Sequence, residues 1–214
     1  MVVCYSFSNG NTRNIAKQLK EALNADYDEI DTVIPYTPYG GFGSEVVSQG
    51  QDEVNKGFQP EITPLSVKVE DYDIIAVGTP TWWYTMAPAM LTFLNSYNWS
   101  GKRIIPFMTH GGWPGHVIKD MKKCCEGAEF MTAMQIQFDS QGGSKMHTLQ
   151  ADIQKWIENV KKKYKEIKNM YFININNEKY KSYHNYFNCN YISYSIQIMH
   201  KKKRKIMQDQ NLKK

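Results

Sequence analysis

The chain has little of what would place it in a membrane, a zinc module or a disulfide scaffold. Only four of its 214 residues are cysteine: Cys4, Cys124, Cys125 and Cys189. Cys124 and Cys125 are adjacent, which is not metal-ligand spacing, and no histidine lies near them at a finger-like interval. They read as reduced thiols of a cytoplasmic protein, and no metal ligand is assigned. No apolar run approaches the roughly 18 residues that cross a bilayer. No basic segment followed by a long apolar stretch opens the chain, so no signal peptide is expected. G-x-G-x-x-G and the lysine-bearing P-loop are both missing, which disfavours the nucleotides those motifs hold. No Ser/His/Asp or Cys/His set and no paired carboxylates stand near the loops singled out below, so no catalytic residue is assigned.

What is present suits one domain, or one domain with an extension. The hydrophobic fraction of 42% is enough for a core, and the net charge is +5. That charge is unevenly placed. Residues 169–214 hold nine Lys/Arg and two acids, a formal +7; residues 1–168 hold seventeen and nineteen, a formal −2. The basic character belongs to the tail and says nothing of what residues 1–168 bind, so neither nucleic acid nor a membrane is expected as a partner of that part.

Residues 2–6 read as a short strand. Ile15, Ala16, Leu19, Ala22 and Leu23 then fall on one face of a helix. Residues 28–34 make a second strand, 35–43 a loop rich in Pro and Gly, and 44–56 a polar helix. Residues 72–78 are a continuous apolar run of the kind buried on both faces of a parallel sheet. Pro88 suits a first helical turn. Residues 103–109 form a fourth strand, in which Pro106 implies an irregularity or an unpaired position. Residues 116–123 are helical and 130–138 form a fifth strand. Leu149, Ile153, Trp156, Ile157, Val160 and Tyr164 make an apolar stripe at helical spacing. This alternation predicts an α/β fold with a doubly wound, five-stranded parallel sheet. Ligands of such sheets sit at the carboxyl ends of the strands, which directs attention to the loops after strands one, three and four.

Loop one is Ser6-Phe7-Ser8-Asn9-Gly10-Asn11-Thr12. A strand-to-helix turn leaves the first helical N–H groups unpaired, and the helix dipole adds partial positive charge there. Gly10 permits close backbone approach. The hydroxyls of Ser6, Ser8 and Thr12 and the amides of Asn9 and Asn11 are further donors. Such a turn suits a phosphate dianion; equally, it suits a well-capped helix. Loop three is Thr79-Pro80-Thr81-Trp82-Trp83-Tyr84-Thr85. Loop four is Thr109-His110-Gly111-Gly112-Trp113-Pro114-Gly115. Together they set flat aromatic surfaces beside glycines that let backbone approach a ligand edge. His110 is given no acid–base role.

Loop one, with YDIIAVGTPTWWYTMAPAMLTFL and GKRIIPFMTHGGWPG, resembles the flavodoxin-like family, nearest its short-chain branch with a Trp-Trp pair after the third strand. The likeness covers residues 1 to about 165. The family loop reads hydroxyl-x-Thr-Gly-x-Thr; here Phe7 and Asn9 stand at the first and third positions, while Gly10, Asn11 and Thr12 match. The resemblance implies strand order 2-1-3-4-5 and FMN held non-covalently, its phosphate in loop one and its ring among the aromatics of loops three and four. It implies an electron carrier that cycles FMN between semiquinone and hydroquinone and serves redox partner proteins. The alternative is an FMN-dependent oxidoreductase using NAD(P)H and a quinone, which the aromatic loop at 35–43 would roof. A third reading is a binding module without flavin.

After Lys168 the composition turns to Asn, Lys, Tyr and Ile with no sustained period. This is expected to be a low-complexity basic extension, disordered or loosely attached, either a frameshift or read-through product or an anion-binding tail carrying 200–205. The first strand, with only Val2–Tyr5 before the loop, is expected to be short unless the start lies upstream.

Overall fold

Strands without polar alternation occupy the middle of the sheet, because both of their faces are covered by helices. In the computed structural model, which describes residues 1–140 and 142–169, the elements follow in order: β1 (Val2–Tyr5), α1 (Asn11–Leu23), β2 (Tyr27–Ile30), α2 (Glu45–Lys56), β3 (Ile74–Trp82), β4 (Thr85–Met86), α3 (Pro88–Asn95), β5 (Arg103–His110), α4 (Val117–Cys124), β6 (Glu129–Phe130), β7 (Met134–Gln137), and α5 over residues 150–169. A compact unit spans Met1–Lys162. The expected extension falls almost wholly on 170–214, outside the described residues.

The sheet order is β2-β1-β3-β5, with β6 and β7 sharing the outer position beside β5, and every pairing in this path is parallel. This is the doubly wound sheet expected from the alternation. On one face Val3, Tyr5, Ile75, Val77, Ile104 and Met108 pack against Met90, Phe93 and Leu94 of α3 and Val117 and Met121 of α4. On the other, Val2, Cys4, Ala76, Ile105 and Phe107 meet Ile15, Ala16 and Leu19 of α1 and Ile153, Trp156, Ile157 and Val160 of α5. Each large apolar side chain so buried contributes about 1.5–3 kcal/mol. Gly78 lies in mid-strand because the ring of Phe107 occupies its side-chain space: a Cβ there would sit 2.1 Å from the ring.

Four details depart from expectation. β2 ends at Ile30 rather than at residue 34, and Thr32 makes only an isolated bridge to Ile62. Leu149 is exposed and precedes α5. The fifth strand is two pieces. Ile104 pairs with Phe130 and Phe107 with Met134, so two residues of β5 face three of the partner. Ile104 and His110 carbonyls accept from Met131 and Phe138, which turns the even-numbered backbone groups of β5 toward this strand. Pro106 is among them and has no N–H to give, so the strand breaks opposite the missing donor. Lastly, β3 runs four residues past Gly78 and folds back through an antiparallel hairpin onto β4.

Candidate functional site

The loops after β1, β3 and β5 emerge on one edge of the sheet and enclose a cavity of about 350 Å³. Twelve of the residues anticipated from sequence line it. Ser8, Asn11 and Thr12 come from loop one, Pro80 to Tyr84 from the hairpin, and Thr109, His110, Gly111 and Trp113 from the loop after β5. Ser6, Asn9, Gly10, Thr79, Gly112 and Gly115 lie off its wall.

At one end α1 begins on Gly10, which holds φ 71° and gives no side-chain cap. The Ser6 hydroxyl accepts from the Arg13 N–H (3.1 Å), and Gly10 N–H reaches the Phe7 carbonyl at 3.4 Å. The N–H groups of Ser8, Asn9, Asn11 and Thr12 have no acceptor among the described residues. This is a nest of main-chain donors at the positive end of a helix dipole. The Asn9 and Asn11 amides do not point there as free donors: they bond the carbonyls of Gly142 (2.6 Å) and Gly143 (2.9 Å) and fasten loop one to the loop after β7. Thr12, buried, shares a hydrogen bond with Thr109 (2.8 Å) and ties the nest to β5. Arg13, in the first turn of α1, is committed to Glu29 through three contacts of 2.6–2.9 Å.

At the other end stand aromatic rings. Trp82 is turned inward: it meets Tyr5, Phe7 and Tyr36 edge-on at 5.0–6.1 Å and covers Gly50 of α2. Phe7 belongs to this cluster. Trp83, Tyr84 and Trp113 present free surface instead, at 39%, 54% and 55% exposure. Trp83 and Tyr84 are the two turn residues of the β3–β4 hairpin, and both are left-handed, φ 47° and φ 67°. Two-residue hairpins of this hand favour Asn-Gly. Bulky residues there store strain of about 1–3 kcal/mol each.

Between the two ends, His110 accepts the Gly112 N–H at Nδ1 (3.0 Å). Its proton is therefore on Nε2 in the neutral ring, and burial holds its pKa below the ordinary histidine value. Thr81 Oγ1 is the buried side-chain polar atom left without a partner among the described residues. An orphaned hydroxyl in a cavity wall is free to bond a ligand or a water molecule. Thr79 is fully buried and bonds Pro80 and Ala87 (3.0 and 3.2 Å). Gly115 seats the hairpin, since a Cβ would fall 2.0 Å from the Tyr84 carbonyl oxygen.

The wall also holds Tyr39 and Phe42 of the aromatic loop at 35–43, the roof of the alternative reading, and residues not singled out from sequence. Tyr39, Phe42, Val46 and Val47 roof the cavity from the α2 side, and Asp139, Ser140 and Gly142 close it beside loop one. Tyr36 fastens the roof: its hydroxyl donates to the buried Glu53 carboxylate (2.6 Å), which Gln49 also meets (2.8 Å). Among the described residues no metal-ligand cluster occurs, and no helix is long and apolar enough to cross a membrane.

Solved structures share this fold. A candidate flavoprotein of Bacteroides eggerthii is 24% identical, with 73% of this chain and 94% of that one aligned at a TM-score of 0.56. One of Bacteroides uniformis is 22% identical, with 74% and 96% aligned at 0.56. A Lactobacillus acidophilus flavoprotein, solved in complex with FMN, is 19% identical, with 63% and 90% aligned at 0.49. A search of curated proteins gave no match. The flavodoxin family model matches residues 1–160, the same residues that build the sheet and its lined rim, and the chain therefore belongs to the flavodoxin family.

Proposed function

We propose that the cavity holds FMN non-covalently and that the protein is a flavodoxin-type electron carrier serving redox partner proteins. One observation carries the reading: Ser8, Asn11 and Thr12, whose backbone N–H groups have no acceptor among the described residues, line the same cavity as Trp83, Tyr84 and Trp113. A bound flavin would supply the redox chemistry. The chain's own residues would do the rest. The nest would take the phosphate through main-chain donors and the helix dipole. Trp83, Tyr84 and Trp113 would flank the ring, each favourable aromatic pair adding about 0.5–1.5 kcal/mol beyond burial. Thr81 Oγ1 and His110 Nε2 are the polar groups free to meet the ligand between them. The fit is supported by the orphaned Thr81 hydroxyl. The free thiols Cys4, Cys124 and Cys125 support a cytoplasmic setting.

The test is titration of the purified protein with FMN and with riboflavin, followed by flavin fluorescence. Saturable binding of FMN, tighter than riboflavin by tenfold or more, is expected. Equal, weak binding of both would remove the phosphate site from loop one. A second reading, an FMN-dependent NAD(P)H:quinone oxidoreductase, is favoured by Tyr39 and Phe42 in the cavity wall. Steady NAD(P)H oxidation with a quinone acceptor would select it; absence of turnover in a flavin-loaded sample selects the carrier.

A further inference from the structure

The hairpin that carries Trp83 and Tyr84 is held from outside the cavity by one carboxylate. Asp120, on α4, accepts from Thr85 Oγ1 at 2.7 Å, directly after the turn. The same Asp120 oxygen pairs with Nδ1 of His116, and its other oxygen accepts from Lys123 Nζ at 2.7 Å. His116 in turn donates its backbone N–H to the Tyr84 carbonyl at 2.7 Å. Asp120 therefore touches the residue that follows the turn and the residue that grips the turn's second carbonyl. Its side chain is only 15% exposed, although the His116 and Lys123 side chains around it reach solvent. Gly115, immediately before His116, supplies the space in which the Tyr84 backbone lies. From the far side the Trp83 indole donates to the Val47 carbonyl at 3.1 Å.

We propose that Asp120 is a positioning residue: by clamping Thr85 and His116 it keeps the Trp83–Tyr84 turn left-handed, with both rings on the cavity. A two-residue turn of bulky side chains has no intrinsic preference for this conformation. Outside contacts must over-determine it, and Asp120 is where they converge. The ligand consequence rests on the flavin reading, while the conformational consequence does not.

The experiment uses Asp120→Ala and Thr85→Val, with Lys123→Met as a control that removes a surface partner and leaves the clamp. In the ligand-free protein, amide hydrogen exchange at Thr85 and His116 is expected to quicken about tenfold or more in both clamp variants. Exchange at Ile105 and Phe107 in β5 should stay at the wild-type rate. In the flavin-loaded protein, affinity for FMN and for riboflavin should fall by the same factor, because the ring end is disturbed and the phosphate end is not. The midpoint potential should shift with it. Wild-type exchange at the turn in Thr85→Val would overturn the proposal, and so would a loss of FMN affinity without loss of riboflavin affinity. Should Asp120→Ala fail to fold, Thr85→Val carries the same readouts, since its hydroxyl makes only the clamp contact. If the wild-type protein binds no flavin, the functional reading falls and hydrogen exchange alone decides the clamp.

Discussion

Gly10 and His110 show how single positions set the behaviour of the cavity. Gly10 begins α1 at φ 71°, and a Cβ there would meet only the Arg13 guanidinium at 3.2 Å. Aspartate tolerates the left-handed region better than most residues. Gly10→Asp is therefore expected to fold while placing a carboxylate beside the amide nest. FMN affinity should drop at least tenfold, about 1.4 kcal/mol, with riboflavin affinity nearly unchanged in parallel titrations. His110 gives a pH dependence whose sign follows from burial. Its folded pKa lies below the ordinary 6.5. Above that pH both folded and unfolded chains hold it neutral. Below it the unfolded chain takes the proton first, so stability falls until the pH passes the folded value. Urea midpoints at pH 7.5 and 5 should differ less in His110→Asn than in the wild type.

Among the elements, the parallel sheet, its flanking helices and the helix over 45–56 were legible from apolar runs and periodicity. The β3–β4 hairpin was not. Thr79-Pro80-Thr81 is polar and contains proline, so the strand looked finished at Gly78. Its last residues are instead held by pairing with a two-residue strand too short to show a period. The break in the fifth strand was half legible: Pro106 announced an irregularity, but not that it would fall on the neighbouring strand. It leads to a measurement. Pro106 is buried and faces the break, so Pro106→Ala adds an N–H with nothing to receive it. A loss of about 1–3 kcal/mol is expected in urea denaturation. A gain would mean that the fifth strand closes to meet the new donor. The site's missed members have a common cause. The order reversal in the sheet points to the loops after strands one, three and four, yet Asp139-Ser140 follows the fifth strand at the same edge. Val46 and Val47 come from a helix that reads as polar, whereas Tyr39 and Phe42 belong to the aromatic loop at 35–43 that the alternative reading sets over the pocket.

For the molecule as a whole, cooperativity can be read through its thiols. Cys4 and Cys125 are buried on opposite faces of the sheet, and burial pushes both up to about 12. As native thiols near neutral pH they should be inert toward disulfide reagents, because the thiolate is the nucleophile. Labelling of the two cysteines, followed by mass spectrometry across a urea series, should rise together at the global midpoint. Cys4 reacting well before Cys125 would show that the α1–α5 face opens separately. The formal charge of residues 1–168 is only −2, a weak net charge. Under the carrier reading, partner choice then rests on shape and exposed aromatic surface more than on long-range attraction.

The donors at the head of α1 belong to the peptide chain itself, and this has an evolutionary consequence. Substitution can remove a hydroxyl or an ammonium, but every residue except proline keeps its amide hydrogen. A pocket built this way tolerates drift in its lining so long as the curve of the chain survives. Phe7 and Asn9 bring no hydroxyl to this turn, and the curve is unbroken beneath them.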